Sequence, residues 1–228
     1  MRTSAGIYSK AIRAVAVALC IAALAGCAFR QRYDDSWTRG DMVASWYGPD
    51  FHGKLTSSGE RYDMDSMTCA HKSFPFGTRL RVTNLSTGQS ADVVVNDRGP
   101  FVGGRDLDLS RGAAKAVGVI GPGTAKVRVE RLGRDERYVK YLAEPVGRLA
   151  GPYTVQVGAF ADKDNAVHLR MSLELTHQDA HMTEKWMSGK RLYRVRVGKF
   201  QNEDDARTLA RSLADEGYSV MLATYDPA

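Results

Sequence analysis

Three acid-bearing motifs fall between Thr56 and Ser110: Thr56-Ser57-Ser58-Gly59-Glu60, Asn96-Asp97-Arg98-Gly99-Pro100 and Arg105-Asp106-Leu107-Asp108-Leu109-Ser110. Each sets carboxylates beside Gly, Pro or Asn, residues that mark tight turns and close approaches of the backbone. Acids beside Gly and Pro are also ordinary turn formers, so residue type alone leaves a structural and a chemical reading side by side. The chemical reading is cleavage of a glycosidic bond. That reaction needs two or three carboxyl groups in one cleft, one of them raised in pKa so that it can protonate a leaving oxygen.

The segments between these motifs must bring them together. Thr78 to Asn84 alternates, with Leu80 and Val82 on one face and Arg79, Arg81 and Thr83 on the other. Ala91 to Asn96 is a β-branched run, and Ala125 to Leu132 turns Val127 and Val129 in while Lys126, Arg128 and Glu130 face out. Ser110 suits the N-cap of a short helix over Arg111 to Val117, which Gly118 can end. Short strands at such intervals predict a small barrel or sandwich, and a barrel gathers its loop carboxylates at one mouth.

The same stretch resembles a known family. Ala44-Ser45-Trp46-Tyr47-Gly48, Phe51-His52-Gly53-Lys54, Thr56 to Glu60, Ala70-His71, Pro75-Phe76-Gly77-Thr78, Val82-Thr83-Asn84-Leu85, Asn96 to Pro100 and Asp108-Leu109-Ser110 are similar, in order and spacing, to the rare lipoprotein A family. The resemblance runs from about Ala44 to Leu132. It implies a double-psi β-barrel and an endolytic peptidoglycan lytic transglycosylase, which cuts the MurNAc–GlcNAc bond and leaves a 1,6-anhydro product. It maps the acidic pair onto Glu60 and Asp97, with His71 and Asp108 lining the same groove. This chain has Thr56-Ser57-Ser58 where the family usually shows Thr-Ala-Asn, and Thr68-Cys69-Ala70 where it usually shows Thr-Ala-Ala. The first change sits beside the expected acid and would alter sugar contacts while keeping the carboxyl.

Within that expectation Glu60 is the general acid, supported by the backbone of Ser57, Ser58 and Gly59. Asp97 stabilises positive charge at the sugar or acts as a base. Arg98 either pairs with Asp97 and holds it ionised or contacts substrate. Asp108 is catalytic or caps the following helix. Trp46, Tyr47 and Phe51 offer stacking surfaces for sugar rings or belong to the core. His71 orients a carboxylate or is a half-buried polar residue. A Cys69–His71 nucleophile pair is disfavoured, since Cys is among the most often buried residues and nothing nearby orients the two. No cofactor or metal is expected: His177 and His181 are four apart, but no further ligand accompanies them.

The N-terminus predicts export. Arg2, Lys10 and Arg13 precede an apolar run of 12 residues, Ala14 to Ala25, too short to span a membrane and right for a signal segment. Leu24-Ala25-Gly26-Cys27 resembles a lipobox, which implies cleavage after residue 26 and lipid on Cys27, a membrane anchor of several acyl chains. Ala28 in place of Asp implies the periplasmic face of the outer membrane. Processing removes three basic residues and no acid, so the net charge falls from +6 (32 basic, 26 acidic) to +3 (29 against 26). With no Lys/Arg run to track a phosphate backbone, nucleic acid is not an expected partner. Once Cys20 leaves and Cys27 is lipidated, Cys69 has no disulfide partner within the mature chain.

Residues 27–40 read as a lipidated tether, 41–132 as the barrel, 133–151 as a linker with one added strand at Tyr138 to Leu142, and 152–228 as a second domain. In that domain Val155, Val157, Gly158, Phe160, Ala166, Leu169 and Leu173 recur 40 residues later as Val195, Val197, Gly198, Phe200, Ala206, Leu209 and Leu213. Each copy is a strand ending in Gly-x-Phe followed by a helix, and added strands at Met182 to Met187 and Tyr218 to Thr224 complete β-α-β-β-α-β. This α+β, ferredoxin-like order predicts a four-stranded antiparallel sheet with both helices on one face. Gln156, Arg194 and Arg196 then cluster on the open face. The half resembles the sporulation-related repeat (SPOR) domain, which implies binding of glycan strands stripped of peptide at the division septum. Gln156, Phe160, Arg194 and Arg196 are the candidate contacts. The reading from another class is a non-catalytic, expansin-like lipoprotein that binds the wall among divisome proteins.

Overall fold

The computed structural model describes residues 39–143, 149–187 and 189–226; the signal segment, Cys27 and all but the last two residues of the tether lie outside them. Six strands form a closed barrel: β1 (Arg39–Trp46), β2 (Thr68–His71), β3 (Thr78–Asn84), β4 (Ser90–Asp97), β5 (Leu107–Leu109) and β6 (Ala125–Arg134), in the order β1-β5-β2-β4-β3-β6. The alternation in β3 and β6 does what the sequence predicts, since Leu80, Val82, Val127 and Val129 are fully buried. They meet Val93, Val95, Leu107 and Leu109 in one core. Helix α1 (Arg111–Val117) is capped by the Ser110 hydroxyl, which accepts from the Ala113 amide, and ends at Gly118 with φ 75°.

Strand register sets the acids in one row. Ala70 pairs with Asp97 across β2–β4 and with Asp108 across β2–β5, and Asp108 pairs with Ser45 across β1–β5. Residues directly opposite share a face, so Asp97 and Asp108 point to the same side, two strands or roughly 10 Å apart.

Beyond β6 the sequence-based expectation needs correcting. β6 continues to Arg134, two residues past Leu132, because Gly133 and Arg134 pair with Arg79 and Thr78. Tyr138 to Leu142 is not a strand: Glu136–Tyr138 form a 3-10 turn, with the Asp135 carboxylate accepting from the Arg137 amide. The turn packs against Gly77 (φ 85°), where a Cβ would lie 2.7 Å from that of Tyr138.

The second domain contains β7 (Tyr153–Phe160), α2 (Lys163–Glu174), β8 (Ala180–Met187), β9 (Lys190–Phe200), α3 (Glu203–Asp215) and β10 (Met221–Thr224). The sheet order is β10-β7-β9-β8, antiparallel throughout, so the first and third strands are central as predicted. Val155, Val195 and Val197 pack beneath Ala166, Leu169 and Leu173 of α2 and Ala206, Ala210 and Leu213 of α3. The Gly-x-Phe repeat has a steric cause. A Cβ at Gly158 would sit 2.7 Å from the Phe160 ring, and one at Gly198 2.4 Å from the Phe200 ring.

Two expectations for the glycan contacts are corrected. Phe160 folds back towards Gly158 and Leu169, on the helix side of the sheet, because only glycine leaves room there. Arg194 and Arg196 do lie on the opposite face, but they are buried under the C-terminal segment, whose Asp226 carboxylate pairs with both.

Candidate active site

Asp97 closes β4 and is buried, with 6% of its surface exposed. Its Oδ1 accepts from the Ser57 amide (2.8 Å), the Ser57 hydroxyl (2.6 Å), the Arg98 amide (2.8 Å) and His168 Nε2 (3.0 Å). The Tyr47 hydroxyl donates to Oδ2 at 3.3 Å. Burial alone would raise the Asp97 pKa; the hydrogen bond and charge of His168, then the two Ser57 bonds, overcome it and hold the group below its ordinary 3.8.

Asp108 is tuned the other way. Burial pushes it above 3.8 against the pull of Arg105, whose guanidinium reaches Asp108 Oδ2 at 3.3 Å and Ser45 Oγ at 3.2 Å. Its Oδ1 is buried with no hydrogen-bond partner among the described residues. Helix capping belongs to Ser110 and not to Asp108, while Asp106 accepts from the Val43 amide and ties β1 to the loop before β5.

Glu60 sits on the exposed rim, at the end of a turn closed by Thr56 N to Glu60 O (2.8 Å) and Gly59 N to Thr56 O (2.9 Å). Its Oε2 accepts from Tyr138 (2.6 Å) and from Asn96 Nδ2 (3.0 Å). Neighbouring residues of β4 thus hold different acids in place: Asn96 binds Glu60, and Asp97 is held by Ser57.

Trp46 and Tyr47 line a cavity of about 640 Å3 with Phe51, Tyr62, Asp97, Asp108 and other barrel residues, and α2 supplies one wall. The Tyr47 ring lies 5.6 Å from Phe51 and 5.2 Å from Tyr62, so three aromatic rings cluster at this wall. Burial, then the charges of Asp97 and Asp108, drive the Tyr47 hydroxyl well above its ordinary pKa, and it stays a donor.

Two predicted residues stand elsewhere. The Arg98 side chain is fully buried, with its guanidinium 3.9 Å from the Phe76 ring centre and 2.8 Å from the Phe74 carbonyl. It neither pairs with Asp97 nor reaches the cavity, because side chains alternate along extended backbone and neighbours point opposite ways. His71 does not line the cavity either. Its Nδ1 accepts from the Ser73 and Phe74 amides and its ring stacks on Phe74 at 3.7 Å. Burial, then the Arg98 charge, lower its pKa to about 4, so it is neutral. Burial raises the Cys69 thiol far above its usual range, leaving it inert.

Sequence reasoning missed four contributors. The Ser57 side chain, Tyr138, His168 and Ser172 join the site, the last two from the second domain. Only Ser57 carried a signal, as a departure from the family's usual residue.

The family model described as lytic transglycolase matches residues 40–129, and that of the SPOR domain matches residues 149–224. The endolytic peptidoglycan transglycosylase RlpA of Campylobacter jejuni is 39% identical over 198 residues, covering 79% of this chain and 71% of that protein. The proteins of the same name from Vibrio cholerae and Helicobacter pylori J99 are 39% and 37% identical, over 77% and 73% of this chain and 65% and 59% of theirs. On its barrel, its second domain and these relatives, the chain belongs to the rare lipoprotein A (RlpA) family.

Proposed function

We propose that the protein is an endolytic lytic transglycosylase that cleaves peptidoglycan strands between MurNAc and GlcNAc, while its second domain binds the same polymer. The observation that carries the reading is Asp97, an ionised carboxylate buried in the wall of an aromatic cavity, where positive charge on a sugar ring needs a fixed anion. In the reaction the C1–O bond to GlcNAc breaks and its oxygen takes a proton from an acid. The muramyl C6 hydroxyl forms the new C1–O bond and gives its proton to the carboxylate the acid has become, so the acid is restored and no water enters. Glu60, exposed on the rim, is assigned the proton donor. A second reading gives that role to Asp108, because burial raises its pKa and its Oδ1 has no hydrogen-bond partner among the described residues.

Glu60→Gln and Asp108→Asn separate the two. Loss of the true donor lowers the rate on soluble glycan strands by about 10²–10⁴-fold. Loss confined to the Asp108 variant moves the role there, and full activity in both overturns the mechanism.

Peptidoglycan binding sets the protein's place in the cell envelope. A lipid on Cys27, the periplasmic face of the outer membrane, enrichment at the septum on peptide-free strands, and contact with divisome proteins complete the proposal, on the strength of Leu24-Ala25-Gly26-Cys27, Ala28 and the second domain. There Gln156, Arg194 and Arg196 are assigned to glycan once Asp226 moves aside.

A further inference from the structure

Helix α2 reaches across the barrel groove. Ser172, fully buried, places its Oγ 2.7 Å from Ser57 Oγ, and His168 Nε2 lies 3.3 Å from that oxygen and 3.0 Å from Asp97 Oδ1. Phe101 of the barrel meets the His168 ring edge-on at 6.0 Å. A second patch fixes the domain further along. The Phe76 amide donates to the Glu216 carbonyl at 2.9 Å, and Arg134 donates to the Asp215 carbonyl at 2.7 Å.

In this arrangement α2 covers one side of the groove that a glycan strand would occupy. Ser57, between the two acids, is covered by Ser172, and the cavity beside α2 holds Asp97 and Asp108 but not Glu60. Four donors crowd Asp97 Oδ1, and one of them comes from the second domain. The cavity is partly open but walled by α2 on one side, whereas a strand cut internally needs a groove open at both ends.

We propose that α2 is a built-in lid: in the resting protein the second domain docks on the catalytic groove, and it must swing away before a glycan strand can enter. The inference rests on the glycosidic reading of that groove. Its contacts over the acids are polar, the character of interdomain surfaces that separate and rejoin, while the apolar packing of Phe76 on Tyr218 is confined to the second patch. Because α2 lies on the opposite face of the sheet from Arg194 and Arg196, docking does not cover those arginines, and once Asp226 moves aside the domain can hold a strand docked or undocked.

The test compares the parent chain with Ser172→Arg, which wedges the contact, and with Met171→Glu, which sets a like charge against Asp97 and Asp108 from the α2 wall of the cavity and leaves the barrel unchanged. Small-angle X-ray scattering reports docking, and initial rates on soluble peptide-free glycan report access. The parent should scatter as a compact particle. Both variants should expand and cleave faster, by about tenfold if the open form is about a tenth of the resting population. An already extended parent overturns the lid, as do variants that open without gaining rate. Expanded variants that cleave nothing, beside a compact parent that cleaves nothing, support docking and refute the glycosidic reading instead.

Discussion

Replacing Arg98 with methionine removes a cation on which both domains close. The guanidinium has no exposed surface, lies 3.9 Å from the Phe76 ring and 5.2 Å from that of Tyr218, donates to the Phe74 carbonyl at 2.8 Å, and reaches Glu216 at 3.5 Å. A buried hydrogen bond from a charged donor contributes about 1.5–3 kcal/mol, and a cation over an aromatic face about 0.5–2 kcal/mol. The Glu216 pair adds little, since that carboxylate keeps 18% of its surface in water. Methionine refills much of the volume but strands the Phe74 carbonyl, so the net loss should be about 2–4 kcal/mol. For a folded unit of this size that lowers Tm by roughly 4–16 °C. Urea unfolding followed by tryptophan fluorescence tests it, with Trp46 reporting the barrel and Trp186 the second domain. A shift within about 0.5 kcal/mol, the range of an ordinary surface change, would refute the reasoning. Arg98→Lys should retain most of the loss, because an ammonium cannot cover a ring and bond two acceptors in one plane.

Three further outcomes follow from the same contacts. Gly112 lies in α1, where Ala would ordinarily stabilise, yet its Cβ would come 2.4 Å from the Asp65 carbonyl oxygen; Gly112→Ala should destabilise by about 1–3 kcal/mol in thermal melts. Docking should depend on pH. Burial works against charge on His168, but the hydrogen bond and charge of Asp97 raise its pKa, so its contribution is complete below 6.5 and is lost as pH climbs through the docked value. Asp97 is lowered, so its contribution is present above 3.8 and is lost as pH falls through the docked value. Lys54, Arg105, Asp108 and Asp164 also face this cavity, and the particle should be most compact between 3.8 and 6.5 and expand on the alkaline side. Asp226→Ala should tighten binding of peptide-free strands several-fold in a pull-down titration, and unchanged affinity would take Arg194 and Arg196 out of glycan recognition.

Much of this fold is legible in the sequence because its signals are local. Leu80 and Val82 alternate with arginines, Ser110 caps α1, and the 40-residue recurrence marks two strand–helix units. The acids were legible as motifs, but their environments were not. Asp97 and Arg98 are adjacent in sequence, which suggests an ion pair, yet extended backbone sends their side chains apart and only the Arg98 amide serves Asp97. His168 and Ser172 carry no motif, since a helix surface that docks on another domain looks like any solvated one. Arg194 and Arg196 were placed on the correct face, but nothing in their strand announces that Asp226, thirty residues on, returns to cover them.

Digestion of purified peptidoglycan sacculi tests the central claim most directly. Amidase-treated and untreated sacculi would be incubated with the protein freed of its signal segment, and with Asp97→Asn, and the released fragments analysed by mass spectrometry. Fragments ending in 1,6-anhydromuramic acid, released faster from the treated sacculi and lost with Asp97→Asn, are the predicted result. Intact strands that retain bound protein, or fragments with hydrolysed reducing ends, would contradict it.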